Sequence, residues 1–252
     1  MIANPDTTIR PPGRHLMLLE GIAAPWEHAG ALAMWPLLRL APRGDGHPVL
    51  VIPGLGASDR STRLLRRYLD AQGYSSHGWQ LGTNLGPQGG KLEALRKRIA
   101  ELHARQGSHV SLVGWSLGGI YARELAKMQP DCVRSVITLG TGFTGNLRAT
   151  NASRFYEYAS GEKLGSTPFH RQLWKNPEVP TTSIWSRTDG VVAWQCSVLE
   201  EGPLAENIEV RASHLGMGAN PSVLLAIVDR LAQPQGQWRA FEKGGLRRLA
   251  YP

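Results

Sequence analysis

Gly114-Trp115-Ser116-Leu117-Gly118 sets a serine hydroxyl between two glycines, directly behind the apolar run Val110–Val113 and ahead of Ile120–Leu125, which reads as a helix. A serine on so sharp a strand-to-helix turn stands clear of the sheet edge. The first free N–H groups of the helix then point at whatever it attacks. Glycine is needed on both sides because a Cβ at Gly114 or Gly118 would strike the flanking strand or helix. The chemistry on offer is nucleophilic attack on a carbonyl. A hydroxyl at its free pKa is a poor nucleophile, so a base must lie beside it, and a third group must orient that base.

The chain supplies both downstream. Asp189, in Ser186–Val192, follows the strand-like segment Thr181–Trp185, and His214, in Ala212–Gly216, follows Asn207–Ala212. The two are 25 positions apart, room for one helix and one strand. Each also has a plainer reading: Asp189 as the turn former ahead of Gly190, His214 as a surface-loop histidine. No other histidine serves as well, since His103 is mid-helix, His47 and His109 begin strands, and His170 falls in an irregular stretch. Stabilising an oxyanion takes two backbone N–H groups. Leu117 supplies one. Leu55 is the candidate for the other, in Pro53–Ser58, a glycine-rich turn after the first clear strand.

These residues need strands that end in loops. His47–Gly54 reads as a buried parallel strand, followed by a helix over Arg60–Gly73, a short strand near Ser76–Leu81, and a helix carrying Leu92, Leu95, Ile99 and Leu102 on one face. Val110–Val113, Val133–Leu139, Thr181–Trp185 and Asn207–Ala212 read as further strands and Pro221–Leu231 as a closing helix. Strands alternating with helices imply an α/β fold: a mostly parallel central sheet flanked by helices. Residues 1–46 are expected to form an N-terminal leader and helical segment, with 1–14 loosely docked and one or two helices from Leu16 to Leu40. Residues 47–252 form the core. The stretch at about 141–179 breaks the rhythm and is rich in Gly, Thr, Asn and the aromatics Phe143, Phe155, Tyr156, Tyr158, Phe169 and Trp174.

The order serine, acid, histidine, with the elbow Gly114–Gly118, resembles the α/β-hydrolase superfamily, in particular the bacterial lipase- and esterase-like serine hydrolases. The resemblance spans roughly residues 47–232. It implies the α/β-hydrolase fold with a small cap or lid insertion at about 141–179, catalytic Ser116, Asp189 and His214, and an oxyanion hole from Leu55 and Leu117. One departure is Pro53, which stands where many lipases carry histidine; the HGGG form of that loop is also absent. The implied reaction is cleavage of carboxylic esters with moderately hydrophobic acyl groups. Thioesterase, amidase and acyltransferase chemistry could use the same residues, as could a binding protein with this fold and little turnover.

Composition narrows the field. The net charge of +8 comes from scattered basic residues, with short clusters on helices whose other faces are apolar, so nucleic acid is not an expected partner. No metal-ligand spacing and no nicotinamide or flavin fingerprint is present, so no cofactor is expected. No apolar run approaches the ~20 residues of a membrane span, and Ala31–Leu40 is broken by Pro36. With Cys132 and Cys196 the only cysteines and no secretory signal evident, the expectation is a cytoplasmic protein with free thiols.

Overall fold

Continuous apolar runs along the central strands decide the architecture. The computed structural model describes residues 8–164 and 172–252. Six strands form one sheet: β1 (Pro48–Ile52), β2 (Ser75–Gly78), β3 (Val110–Trp115), β4 (Val133–Leu139), β5 (Thr181–Ser186) and β6 (Ala205–Val210). Their order is β2-β1-β3-β4-β5-β6, and every neighbouring pair is parallel. Val49 and Val51 face one side of the sheet, where they meet Leu65 and Leu69 of α3 (Arg63–Ala71) and Val223 and Ile227 of α7 (Pro221–Leu231). Leu50 and Ile52 face the other, against Leu95 and Ile99 of α4 (Lys91–Gln106) and Tyr121 and Leu125 of α5 (Leu117–Met128). With both faces covered, β1 and β3 are buried at every position. Truncating one such leucine to alanine costs about 2–5 kcal/mol.

β1 pairs with both β2 and β3, so successive crossovers leave it in opposite directions. That reversal opens a crevice at the carboxyl ends of the strands, between the loops after β1 and β3. Gly54 and Ser116 stand on its two sides.

Element boundaries differ from the sequence reading at several places, β6 and β2 among them. β6 begins at Ala205 and ends at Val210, because Thr181–Ser186 pairs with Ala205–Val210 in register. Beyond Val210, the Ala212, Ser213 and His214 N–H groups go to side chains of Ser186, Glu27 and Glu20 and leave the ladder. β2 stops at Gly78, because the Trp79 and Gln80 N–H groups donate to the Asp59 carboxylate at 2.9 and 3.0 Å. Between Asp189 and His214 the chain makes a 3-10 turn (Trp194–Ser197) ahead of β6, not an α-helix. The Cys196 carbonyl there accepts from the Phe143 and Thr144 N–H groups.

At the N-terminal end, α1 (Arg14–Ala33) and α2 (Trp35–Leu38) are separated at Met34. Pro36 sits in the first turn of α2, where a missing N–H costs nothing. Ahead of α1, Ile9 packs near Ala149 and Val192, and its carbonyl accepts from Asn146 Nδ2 at 3.1 Å. Residues 1–7 of the leader, and Phe169 and His170 of the irregular stretch, lie outside the described residues. Within that stretch, α6 (Ser153–Ser160) carries the exposed Phe155 and Tyr158 and the buried Tyr156. No described helix is long and apolar enough to cross a membrane.

Candidate active site

Ser116 has φ 53° and ψ −122°, in the left-handed half of backbone space that a non-glycine residue rarely adopts. Such a conformation costs about 1–3 kcal/mol and persists only where surroundings enforce it. Here the Ser116 N–H donates to Leu139 O at 2.8 Å, and its carbonyl accepts from Thr141 Oγ1 and Gly119 N, both at 2.9 Å. The two elbow glycines have steric reasons to be glycine. A Cβ on Gly114 would stand 2.4 Å from Gly118 O, and one on Gly118 would stand 2.2 Å from Ile52 O. α5 therefore packs directly on β1 and β3.

Leu117 is the first residue of α5, and its N–H is one of the helix's unpaired amino-terminal donors. The facing loop is set by Asn84, a fully buried residue that sequence reasoning passed over. Its Nδ2 donates to Pro53 O at 2.8 Å, its N–H to Ala57 O at 2.8 Å, and its carbonyl accepts from Gly56 N at 2.7 Å. This clamp leaves Leu55 at the rim of the pocket that Ser116 and Leu117 also line. Gly54 comes close to the serine: a Cβ there would lie 3.1 Å from Ser116 Cβ.

Asp189 does two jobs with its two oxygens. Oδ1 accepts the Val191 and Val192 N–H groups at 2.8 and 2.7 Å, closing the turn after β5. Oδ2 accepts from His214 Nδ1–H at 2.7 Å, which places the second proton-carrying position of a neutral imidazole, Nε2, free to act as a base. The turn-former and base-orienter readings of Asp189 thus describe one side chain. His214 is buried, and Trp115 Nε1 donates to its carbonyl at 3.0 Å, tying it to the residue before the nucleophile. Gly140, at the end of β4, lies against both Asp189 Oδ2 and His214 Nδ1, and a Cβ there would come within 3.0 Å of each. Ser116 Oγ makes no hydrogen bond to His214 among the described residues, a common state of unliganded sites that tighten around substrate.

Two carboxylates from α1 complete the site, and neither was a sequence candidate. Buried Glu20 accepts Gly190 N at 2.7 Å and His214 N at 2.8 Å through Oε1, and Leu215 N at 2.8 Å through Oε2. Glu27, seven residues on and so on the same helix face, accepts Ser213 N at 2.9 Å and Asn220 Nδ2 at 2.8 Å, and also the Ser213 hydroxyl. The loops carrying Asp189 and His214 are thereby fastened to one helix. Burial by itself would lower the His214 pKa, but the Asp189 charge and hydrogen bond, with the Glu20 charge, outweigh it and hold the imidazole above its ordinary 6.5.

The pocket in front of Ser116 is lined chiefly by apolar groups, among them Leu117, Ile120, Leu147, Tyr156, Leu164 and Val192. Of the aromatics between β4 and β5, Phe143 is buried beneath the Arg123 guanidinium at 3.9 Å. Arg123, itself fully buried, donates to the Leu173 and Lys175 carbonyls and to Asn176 Oδ1 at 3.0–3.1 Å, pinning that strand of chain to α5. Burial pushes its pKa down to about 10. Among the described residues, no cluster of three His, Cys, Asp or Glu side chains is placed to hold a metal ion.

No protein-family model and no curated protein matches the chain in sequence. Solved structures do match it in fold. Aspergillus fumigatus lipase B superposes with a TM-score of 0.61 at 19% identity, over 79% of this chain and 57% of that one. The chain therefore spans little more than half of the fungal protein's length. An α/β superfamily hydrolase from Oenococcus oeni gives 0.55 at 18% identity, over 74% and 91%. A monoacylglycerol lipase from Paleococcus ferrophilus gives 0.53 at 15%, over 76% and 96%. With six parallel strands, helices on both faces and the elbow after β3, the chain has the α/β-hydrolase fold.

Proposed function

We propose that the protein is a serine hydrolase acting on carboxylic esters with moderately hydrophobic acyl groups, with Ser116, His214 and Asp189 as its catalytic residues. The observation that carries the reading is the 2.7 Å bond from His214 Nδ1 to Asp189 Oδ2, at the strand ends where Ser116 opens onto an apolar pocket shared with Leu55 and Leu117. His214 Nε2 takes the Ser116 proton as Oγ attacks the carbonyl carbon. Asp189 holds the ring in that tautomer and stabilises its charged form. The Leu55 and Leu117 N–H groups stabilise the oxyanion. The tetrahedral intermediate collapses, His214 returns the proton to the departing alcohol, and water then resolves the acyl-enzyme by the same route. The described part of the stretch between β4 and β5 serves as the cap: Leu147, Tyr156 and Leu164 wall the acyl side of the pocket and favour an apolar chain.

A panel of p-nitrophenyl esters tests this reading, with Ser116→Ala as the control. Turnover that depends on Ser116 is expected, together with fluorophosphonate labelling of that serine. Equal background rates for the two proteins on every ester, thioester and amide would end the enzyme reading.

A further inference from the structure

α1 is an amphipathic helix turned inside out. Glu20, Glu27 and Ala31 face the protein, whereas Leu18, Ile22, Trp26 and Leu32 face away and are 77%, 60%, 75% and 65% exposed. On an ordinary surface helix the apolar stripe is the buried one. Among the exposed residues from 15 to 38 there is no Asp, Glu, Lys or Arg. The apolar face continues onto α2 and past it through Leu37 and Leu40. Arg14 and Arg39, both exposed, mark its ends.

A second feature lies alongside. A groove runs between α1, α2 and the start of α3, with Leu32 and Trp35 on one wall and Arg60, Arg63 and Arg67 on the other. No carboxylate lines it. A broad uncharged apolar face bordered by unshielded arginines is complementary to one kind of surface, that of a bilayer with anionic headgroups. A second copy of the chain is a poor occupant. A two-fold interface on this face would gather two arginine walls into one contact, between chains that each carry +8.

The geometry points to α1 lying flat on an anionic phospholipid bilayer, its apolar face at the boundary between headgroups and acyl chains and its arginine groove on lipid phosphates. The inward carboxylates of the same helix hold the loops at the carboxyl ends of β5 and β6, the end of the sheet at which Ser116 lines its pocket. The chain just before α1 also reaches the pocket rim, where Ile9 O accepts from Asn146. Docking therefore sets the lipid surface against the helix that holds the Asp189 and His214 loops, with the chain ahead of it at the pocket rim. The corollary, which rests on the hydrolase reading above, is that the substrate is an ester partitioned into the bilayer.

The experiment is vesicle flotation of the full chain. Vesicles of two parts phosphatidylcholine to one part phosphatidylglycerol are compared with vesicles of phosphatidylcholine alone. Wild type is expected to float with the first and far less with the second. Leu18→Ser/Ile22→Ser/Trp26→Ser is expected to lose about 100-fold in partitioning. Arg60→Gln/Arg63→Gln/Arg67→Gln is expected to lose about fivefold per arginine and its preference for phosphatidylglycerol. Both triple variants should hydrolyse a short, water-soluble p-nitrophenyl ester at the wild-type rate, since none of these residues touches the site. Wild type that stays unbound to both vesicles overturns the proposal, whether it sediments as a monomer or as a dimer that the serine variant abolishes. Binding unaffected by either variant overturns it too. Flotation without any ester turnover would retain docking and reject the hydrolase reading, and turnover without flotation would do the reverse.

Discussion

Glu20 Oε1 accepts the backbone N–H of His214 at 2.8 Å across 194 positions of chain. The same carboxylate holds Gly190, the neighbour of Asp189, so one side chain fixes the spacing of the two loops that meet in the Asp189–His214 bond. Glu20 touches neither serine nor pocket, and its role is positioning. Glu20→Ala leaves the buried N–H groups of Gly190 and His214, and the part-buried one of Leu215, without their acceptor, each buried group worth about 1–3 kcal/mol. The expected loss of stability is about 3 kcal/mol, seen as a melting temperature lower by roughly 6–12 °C. Glu20→Gln keeps the shape and removes the charge. It should lower kcat about tenfold and move the acid limb of the pH profile, which a purely structural role would leave in place.

That acid limb has a defined direction. As the proposed base, His214 must be neutral to act, and the neighbouring carboxylates hold its pKa above 6.5. The rate kcat/KM should therefore fall as pH drops, with a midpoint above 6.5, and Glu20→Gln should shift the midpoint down. In stability the sign is reversed. The His214–Asp189 attraction contributes fully below the unfolded-state pKa and is lost as pH rises through the raised folded value. A midpoint below 6.5 would contradict the account of this site.

Asp189→Asn tests the tautomer. An amide at Oδ2 can present its NH2 to Nδ1 and drive the proton to Nε2, where it blocks the base. The expected fall in kcat is on the order of 10⁴-fold with the fold intact. Single-turnover kinetics with circular dichroism would measure both, and a loss smaller than about tenfold would remove Asp189 from the mechanism.

Asn84→Ala releases the loop that presents Leu55. Pro53 O loses its donor, a cost of about 1–3 kcal/mol. The expected kinetic signature is kcat lower by about 10²-fold with KM little changed, because an oxyanion donor acts in the transition state and not on bound ester. A rise in KM alone would place Asn84 in substrate binding.

Arg123→Met should keep the contact with Phe143 and lose the bonds to residues 173–176. Limited proteolysis is expected to cut near residue 175 several times faster than in wild type, with ester turnover changed more for long acyl chains than for short ones.

Much of this protein was legible in its sequence because the relevant physics is local. A strand that must be buried on both faces reads as a continuous apolar run, which is why Val133–Leu139 is found at the expected bounds, and the helix Pro221–Leu231 is found at its own because Asn220 caps it and Pro221 opens its first turn. The elbow is local as well: the close approach at Gly114 and Gly118 is decided within a few residues. Asp189 and His214 could be placed at strand ends by the same logic, though their 2.7 Å bond could not. Tertiary structure alone decided how α1 is used. Periodicity shows that Glu20 and Glu27 share a helix face, and simple amphipathicity would turn that face to water. It is instead turned inward, because the N–H groups of residues 190, 213, 214 and 215 lie buried or part-buried against it and need acceptors. That need arises only once segments 170–195 positions distant have been brought together, and it leaves the apolar face of α1 turned outward.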